Sequence, residues 1–201
     1  MARSNTKDRL IQAATDLFST KGYAGTSVDE IAAAVGIKGP TIYKYFKGKE
    51  EILNTILDRA DVEYEAGMKK RATAKMEIDS GELLKTITLK ELQFTANNEN
   101  IRKLRKLFTI EQYRNERFAK IATSRQITDT KERLAGVFRG MMERGVMKKG
   151  DPDILALQFT APTTILLQLL DREPERKDEI FKLIEAHIDQ FIADHCVDKT
   201  D

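Results

Sequence analysis

The chain has 201 residues, 41% of them hydrophobic, with 4 Pro, 11 Gly and a formal net charge of +2. That length holds one large helical domain or two small ones, and that apolar share supports a packed core and argues against disorder. The single cysteine, Cys196, excludes an internal disulfide framework and fits a reducing cytoplasm. No stretch approaches the ~20 apolar residues of a membrane helix, and the N-terminus lacks an apolar signal core, so a cytoplasmic chain with no membrane partner is expected. Few turn clusters and no clean period-two runs make the expected fold class all-α. Residues 1–60 hold nine Lys/Arg against seven Asp/Glu and the remainder is balanced, so the whole positive surplus lies near the N-terminus. A surplus of two says little by itself; where the lysines stand says more.

The first helix is expected over residues 4–21, with Leu10, Ile11, Ala14, Leu17 and Phe18 on one face and Gly22 ending it. Arg3 and Lys7 precede that face, either as a phosphate-reaching arm or as a frayed basic terminus. Ser27 and Glu30 stand at capping-box spacing, and Val28, Ile31, Ala32 and Val35 then recur at helical spacing. Gly36 ends that short helix, and Pro40 sits where a further helix would begin. Two short helices joined by a glycine turn read as a helix-turn-helix. Ile42 and Phe46 anchor the second of them, leaving Thr41, Tyr43, Lys44 and Tyr45 to point outward, with Lys47 and Lys49 beyond. Such a mixture of aromatic and basic side chains suits the major groove of DNA. On spacing alone, a solvated lysine-rich turn in a helical bundle is the alternative.

The run Gly22-Tyr23, Thr26-Ser27-Val28, Ile31-Ala32, Val35-Gly36-Ile37, Thr41-Ile42-Tyr43, Tyr45 to Glu50 and Leu53 resembles the DNA-binding domain of TetR-family transcriptional regulators, over roughly residues 5–57. The resemblance implies a three-helix DNA-binding head over residues 1–50 and a helical ligand-binding and dimerisation domain over 51–201, about nine helices in all. It also implies phosphate contacts from Thr26 or Ser27 and from Lys49. Gly39, Pro40, Thr41, Tyr43, Lys44 and Tyr45 would lie in or beside the groove. Lys44 suits guanine O6/N7 and the Thr41 methyl a thymine methyl, whereas the tyrosine hydroxyls suit phosphate. Lys38 departs from the pattern: it stands where the family often has a capping serine or threonine. That change forgoes ~1 kcal/mol of capping but leaves N–H groups that a phosphate can use.

Further along, a long helix is expected from Gly48 toward residue 72, a loop over 73–81, and a helix capped by Ser80 and running to about Ala96. After the polar break at Asn97–Asn100 comes a helix to about Arg114, whose basic residues Arg102, Lys103, Arg105 and Lys106 read as a solvated face. One helix is expected over 116–144. Asp151-Pro152 starts another, which Pro162 should kink, and residues 175–195 form the last. The final two helices carry apolar stripes wider than one core contact requires. Leu166, Leu170, Phe181, Ile184 and Ile188 are therefore expected to face a second copy, in agreement with the four-helix dimer interface the resemblance implies.

Tyr64, Met68, Phe94, Phe108, Tyr113, Phe138 and Met141 are expected to turn inward as a soft, mostly apolar lining for an effector, although apolar residues at this spacing are also ordinary core. Neither a nucleophile–base pair nor a glycine-rich phosphate loop is present, so no enzyme activity and no cofactor are expected. His195 and Cys196, beside Asp194 and Asp198, have the wrong spacing for a closed zinc site and read as a terminal tail; no metal is expected. The expected function is an effector-responsive transcriptional regulator, a repressor that binds a near-palindromic double-stranded operator as a homodimer. The alternative is a helical enzyme or cofactor-binding protein that keeps the helix-turn-helix as scaffold.

Overall fold

The structure, a computed structural model, describes residues 2–73 and 77–197, without the side chains of 2–4 and 67–73. The described residues form nine α-helices with short 3₁₀ and π turns, and contain no strand beyond one isolated bridge. The chain folds as two compact units: Met1–Lys75 with Lys103–Asn115, and Met76–Arg102 with Glu116–Asp201. By packing, residues 51–75 and 103–115 group with the first 50 residues.

The first unit contains α1 (Ala2–Lys21), α2 (Val28–Ala34), a 3₁₀ helix (Gly39–Lys44) and α3 (Lys49–Thr73). Leu10, Ala14, Phe18, Ile31, Ala32, Ile42, Phe46, Ile52 and Leu57 are almost wholly buried. α5 (Glu99–Glu111) contributes its residues from Lys103 onward to this unit. There Lys103 pairs with Asp16 at 2.8 Å, so it is not the freely solvated cation its helix pattern suggested.

The second unit is built from α4 (Gly81–Asn97), α6 (Glu116–Thr123), α7 (Asp129–Glu143), α8 (Pro152–Arg172) and α9 (Lys177–His195). Ser80 caps α4 as expected, its hydroxyl accepting from the Leu83 N–H at 3.2 Å. Asn98 likewise caps α5 through the Ile101 N–H at 3.0 Å. Gly81 permits α4 to approach α9, since a Cβ there would lie 2.5 Å from the Ile192 Cγ2. Lys85 joins the same two helices by pairing with both Glu185 and Asp189, at 3.1 and 2.7 Å. Arg102 reaches the buried Asp171 at 3.5 Å, so it too departs from the solvated face.

The expected single helix over 116–144 is interrupted by a π turn at Ser124–Thr128. The Asp129 N–H reaches back five residues to the Ser124 carbonyl, and the Thr130 hydroxyl does the same to Arg125 at 3.0 Å. These bonds support the wider register that distinguishes a π turn from the α-helix around it. At the far end, the tail read as merely terminal pairs with the α7–α8 loop. Lys148 N–H donates to the His195 carbonyl at 2.8 Å, and Val197 N–H to Val146 at 2.9 Å.

α8 corrects one expectation directly. It is 21 residues long and its most apolar 18-residue window has a mean hydropathy of 1.3, enough by length and composition to cross a membrane. Its inner side instead packs Leu155, Ala156, Phe159, Leu167 and Leu170 into the core. Phe159 meets Phe138 of α7 and Phe191 of α9, with ring centroids 5.7 and 4.7 Å apart. Phe159→Ala would empty the middle of this cluster and should lower stability by about 3–5 kcal/mol. Urea unfolding followed by circular dichroism checks this; a loss below about 1 kcal/mol would contradict the central packing role.

Candidate nucleic-acid interface

The capping box at the start of α2 forms as its spacing implied. The Ser27 hydroxyl accepts from the Glu30 N–H at 3.1 Å, and the Glu30 carboxylate accepts from the Ser27 N–H at 2.8 Å. Lys21 from the end of α1 closes on Glu30 at 2.6 Å. The Lys21 hydrogen bond, followed by those from the Ser27 backbone and hydroxyl, holds the Glu30 carboxyl down at about 2. α2 then ends at Gly36, whose φ of +76° lies where only glycine sits without strain. Arg9 from α1 donates to the Val35 carbonyl at 2.8 Å, satisfying an acceptor at that helix end.

The segment Gly39–Lys44, expected to enter the groove, is a 3₁₀ helix, tighter than the α-helix its pattern suggests. Lys38 occupies its N-cap and makes no side-chain cap, as its residue type implied, while Pro40 stands in its first turn. Ile42 and Phe46 are buried, at 0% and 1% exposure. Tyr43 is 61% exposed. Lys38, Pro40, Lys44 and Lys47 are exposed, and Gly39, Thr41 and Tyr45 half-buried. An anchored short helix therefore presents aromatic and cationic side chains from a surface that is otherwise well packed. Lys7 lies 5.1 Å from the centre of the Phe46 ring, a cation–π placement that the arm reading did not foresee; the side chain of Arg3 lies outside the described residues.

Two of the expected phosphate contacts are committed elsewhere. Thr26 is buried and its hydroxyl donates to the Gly22 carbonyl at 2.9 Å. Lys49 donates to the Tyr23 and Thr26 carbonyls, both at 2.7 Å, and lies 4.4 Å from the centre of the Tyr23 ring. It closes the turn between α1 and α2 from the start of α3. Glu111 of α5 holds the same turn from another direction, accepting the Tyr23 N–H at 2.8 Å while itself buried. Burial, with Glu50 and Glu111 nearby, pushes the Tyr23 phenol above its ordinary value. Neither the Lys49 nor the Glu111 contact was foreseen; their partners lie 26 and 88 residues away in the chain.

The expected effector residues are divided between the two units. Tyr64 and the buried Phe108 belong to the first unit, and the buried Phe138 and Met141 to the core of the second. Phe94 is 63% exposed and Tyr113 90% exposed, which corrects the expectation that both turn inward. The side chain of Met68 lies outside the described residues. An open groove in the second unit is lined instead by Glu116, Ala119, Lys120, Thr123, Ser124, Thr128 and Asp129.

Comparison with known proteins bears on the head. Residues 10–56 match the family described as bacterial regulatory proteins, tetR family. Over 46 residues the chain is 48% identical to IcaR of Staphylococcus epidermidis, the negative transcriptional regulator of the biofilm operon icaADBC. It is 36% identical over 66 residues to the transcriptional regulator TcmR of Streptomyces glaucescens. The likeness to tetR-family regulators at the level of sequence is thus confined to the N-terminal head. These matches cover 23% and 33% of this chain, but only 25% and 29% of IcaR and TcmR.

Over nearly the whole chain, the likeness to solved structures is one of fold alone. SmeT, the repressor of a Stenotrophomonas maltophilia multidrug efflux pump, is 22% identical with a TM-score of 0.67, covering 96% of this chain and 91% of SmeT. A SmeT–triclosan complex gives a TM-score of 0.70 at 21% identity, covering 97% and 93%. NalD of Pseudomonas aeruginosa, a secondary repressor of the MexAB-OprM efflux pump, gives 0.66 at 21% identity, covering 97% and 98%.

Two outcomes follow from the geometry of the TetR-like head. Lys49→Met should lower stability by about 2 kcal/mol in urea unfolding, because two carbonyls lose a charged donor. An unchanged midpoint would mean that solvent replaces that donor freely. Glu30→Gln carries a pH signature. The Glu30 carboxyl, about 2 when folded, lies below its ordinary 4.5, so its contribution is full above 4.5 and is lost as pH falls through about 2. The difference in thermal midpoint between wild type and Glu30→Gln should therefore be largest near neutrality and vanish toward pH 2.

Proposed function

We propose that the chain is a sequence-specific, ligand-responsive transcriptional repressor that binds a near-palindromic duplex operator in the cytoplasm as a homodimer. The observation that carries this reading is the anchored Gly39–Lys44 segment, with Ile42 buried and Tyr43 and Lys44 exposed, in a head that matches the tetR family. Exposed Lys38 and Lys47 supply phosphate contacts beside the segment, with the Ser27 end of α2; Lys44 reads a base edge. The named functions of the relatives, repression by IcaR and by SmeT, point the same way.

Dimer formation is supported by an apolar face that the chain leaves open. Of the residues expected there, Leu170, Ile184 and Ile188 are buried in the chain's own core, and Leu166 and Phe181 pack against that core half-buried. The outward residues are Ile154, Leu157 and Ile165 on α8, at 52%, 43% and 62% exposure, and Leu183 on α9 at 48%. Ile154, Leu157, Ala161 and Ile165 recur at helical spacing along one side of α8, and Ala186 and Ala193 extend the exposed side of α9. A second copy covers both stripes with the same surface and sets two heads to meet half-sites about 34–36 Å apart.

An apolar or aromatic effector is supported by the triclosan complex of SmeT and by the aromatic content of the second unit. α3 and α5 each place residues in the head, Lys49 and Glu111, and each is long enough for an effector to bias its position. Tenfold induction requires about 1.4 kcal/mol of differential affinity, and operator DNA must weaken effector binding by the same factor.

Selection from random duplex DNA tests the first claim: a reproducible two-fold-related motif is expected, with salt-sensitive affinity. Binding that is equal for all sequences would leave the helix-turn-helix as scaffold. Lys44→Ala should relax preference at one base position, costing about 1–3 kcal/mol there. Ile165→Arg combined with Leu183→Arg changes exposed positions, so the chain should fold yet scatter light as a monomer and bind the operator weakly. Dimers that persist would place the interface elsewhere.

A further inference from the structure

The groove-reading segment begins with a residue that has no side chain. Gly39 is its first position, and a Cβ built there would overlap the carboxylate oxygen of Asp29 from the first turn of α2. The Asp29 carboxylate therefore occupies the volume where the first side chain of the segment would lie. In a helix-turn-helix, residues at the start of the second helix contact base edges. The first helix thus supplies, across the turn, the chemical group that the second helix lacks at that place.

Asp29 is exposed, and among the described residues no hydrogen bond or ion pair engages it. That contrasts with Glu30, the next residue, which is held by Lys21 and by the Ser27 backbone and hydroxyl. An exposed, unpaired carboxylate on a surface meant for a polyanion repels phosphate, so it weakens general affinity. A favourable role must come from the base edges, where a carboxylate can only accept. Cytosine offers its N4 amino group in the major groove with no acceptor beside it. Adenine places N7 next to its N6 donor, while guanine and thymine present O6/N7 and O4 acceptors to the same oxygens.

We propose that Asp29, seated in the side-chain space left empty by Gly39, is a specificity-determining residue that selects cytosine by accepting from its N4 amino group. This rests on the DNA-binding reading above and adds to it a base and the residue that reads it. Lys44, a donor, selects guanine by the opposite chemistry. Glycine at position 39 is then required not by its backbone angle but by the group from α2 that fills its place.

The test compares motifs selected from random duplex DNA by full-length wild type, Asp29→Ala, Asp29→Asn and Gly39→Ala, with circular dichroism confirming that each is folded. Wild type should show cytosine at one position of each half-site. Asp29→Ala should lose about tenfold of that preference while binding unselected DNA more tightly. Asp29→Asn should turn the preference toward adenine, whose N6 and N7 match an amide. Gly39→Ala displaces a flexible carboxylate rather than backbone, so it should fold and lose the cytosine preference as well. A wild-type motif that is unchanged in Asp29→Ala, or one in which affinity rises equally for every base, overturns the assignment and leaves the DNA-binding reading intact. A wild type that selects no motif at all overturns both.

Discussion

A six-residue 3₁₀ turn cannot hold itself in water. Nucleating a helical turn costs more than its few hydrogen bonds return, and the 3₁₀ geometry makes those bonds poorer. The segment Gly39–Lys44 persists because Ile42 and Phe46 are buried in the head's core, and because the Ile42 carbonyl accepts from both Tyr45 and Phe46, at 2.9 and 3.0 Å. The side chains of this segment that could touch a base are placed by those two anchors. The reading surface is thus a consequence of the core beneath it, and a slip of either anchor would rotate Thr41, Tyr43 and Lys44 together.

A second constraint gathers at the turn before α2. Gly22 has a φ of +75°, and a Cβ there would lie 3.0 Å from the Glu111 Oε1, so both backbone geometry and close approach demand glycine. The next peptide, Tyr23, is held at its N–H by Glu111 and at its carbonyl by Lys49. A carboxylate as buried as Glu111 is unfavourable unless it is hydrogen-bonded, which makes its contact with the Tyr23 N–H a condition of its position rather than an ornament. The head is therefore not local in sequence: α5 completes it from 88 residues away.

What the sequence made legible follows the range of the forces involved. The capping box, the glycine stop at Gly36, Pro40 in the first turn and the buried pair Ile42 and Phe46 all depend on neighbours within about one helical turn, and spacing reveals them. The resemblance implies phosphate contacts from Thr26 or Ser27 and from Lys49. The actual partners of Thr26 and Lys49, the Gly22, Tyr23 and Thr26 carbonyls, are exposed only by the turn's three-dimensional closure. Phe94 and Tyr113 show the converse error. An aromatic residue at helical spacing need not face inward, because much of a protein's surface is apolar. The Asp29 placement had no sequence signal beyond a glycine at position 39, since it depends on how two short helices cross.

α8 shows why a wide apolar stripe is the hardest pattern to divide. It is apolar enough to pass for a membrane helix, yet only 39% of its most apolar window is buried within the chain. Leu155, Phe159, Leu167 and Leu170 account for the inner side, against α7 and α9. The remainder, Ile154, Leu157 and Ile165, lies on the other side, where α9 adds Leu183. Which leucines face which way depends on helix rotation, and composition does not encode rotation. Once the inner residues are assigned to the core, the outer ones form a stripe that a lone chain leaves in water at a steady hydrophobic cost. A two-fold partner would relieve that cost on both chains at once with one surface, so the feature that mimics a membrane helix is also the structural ground for the dimer proposed above.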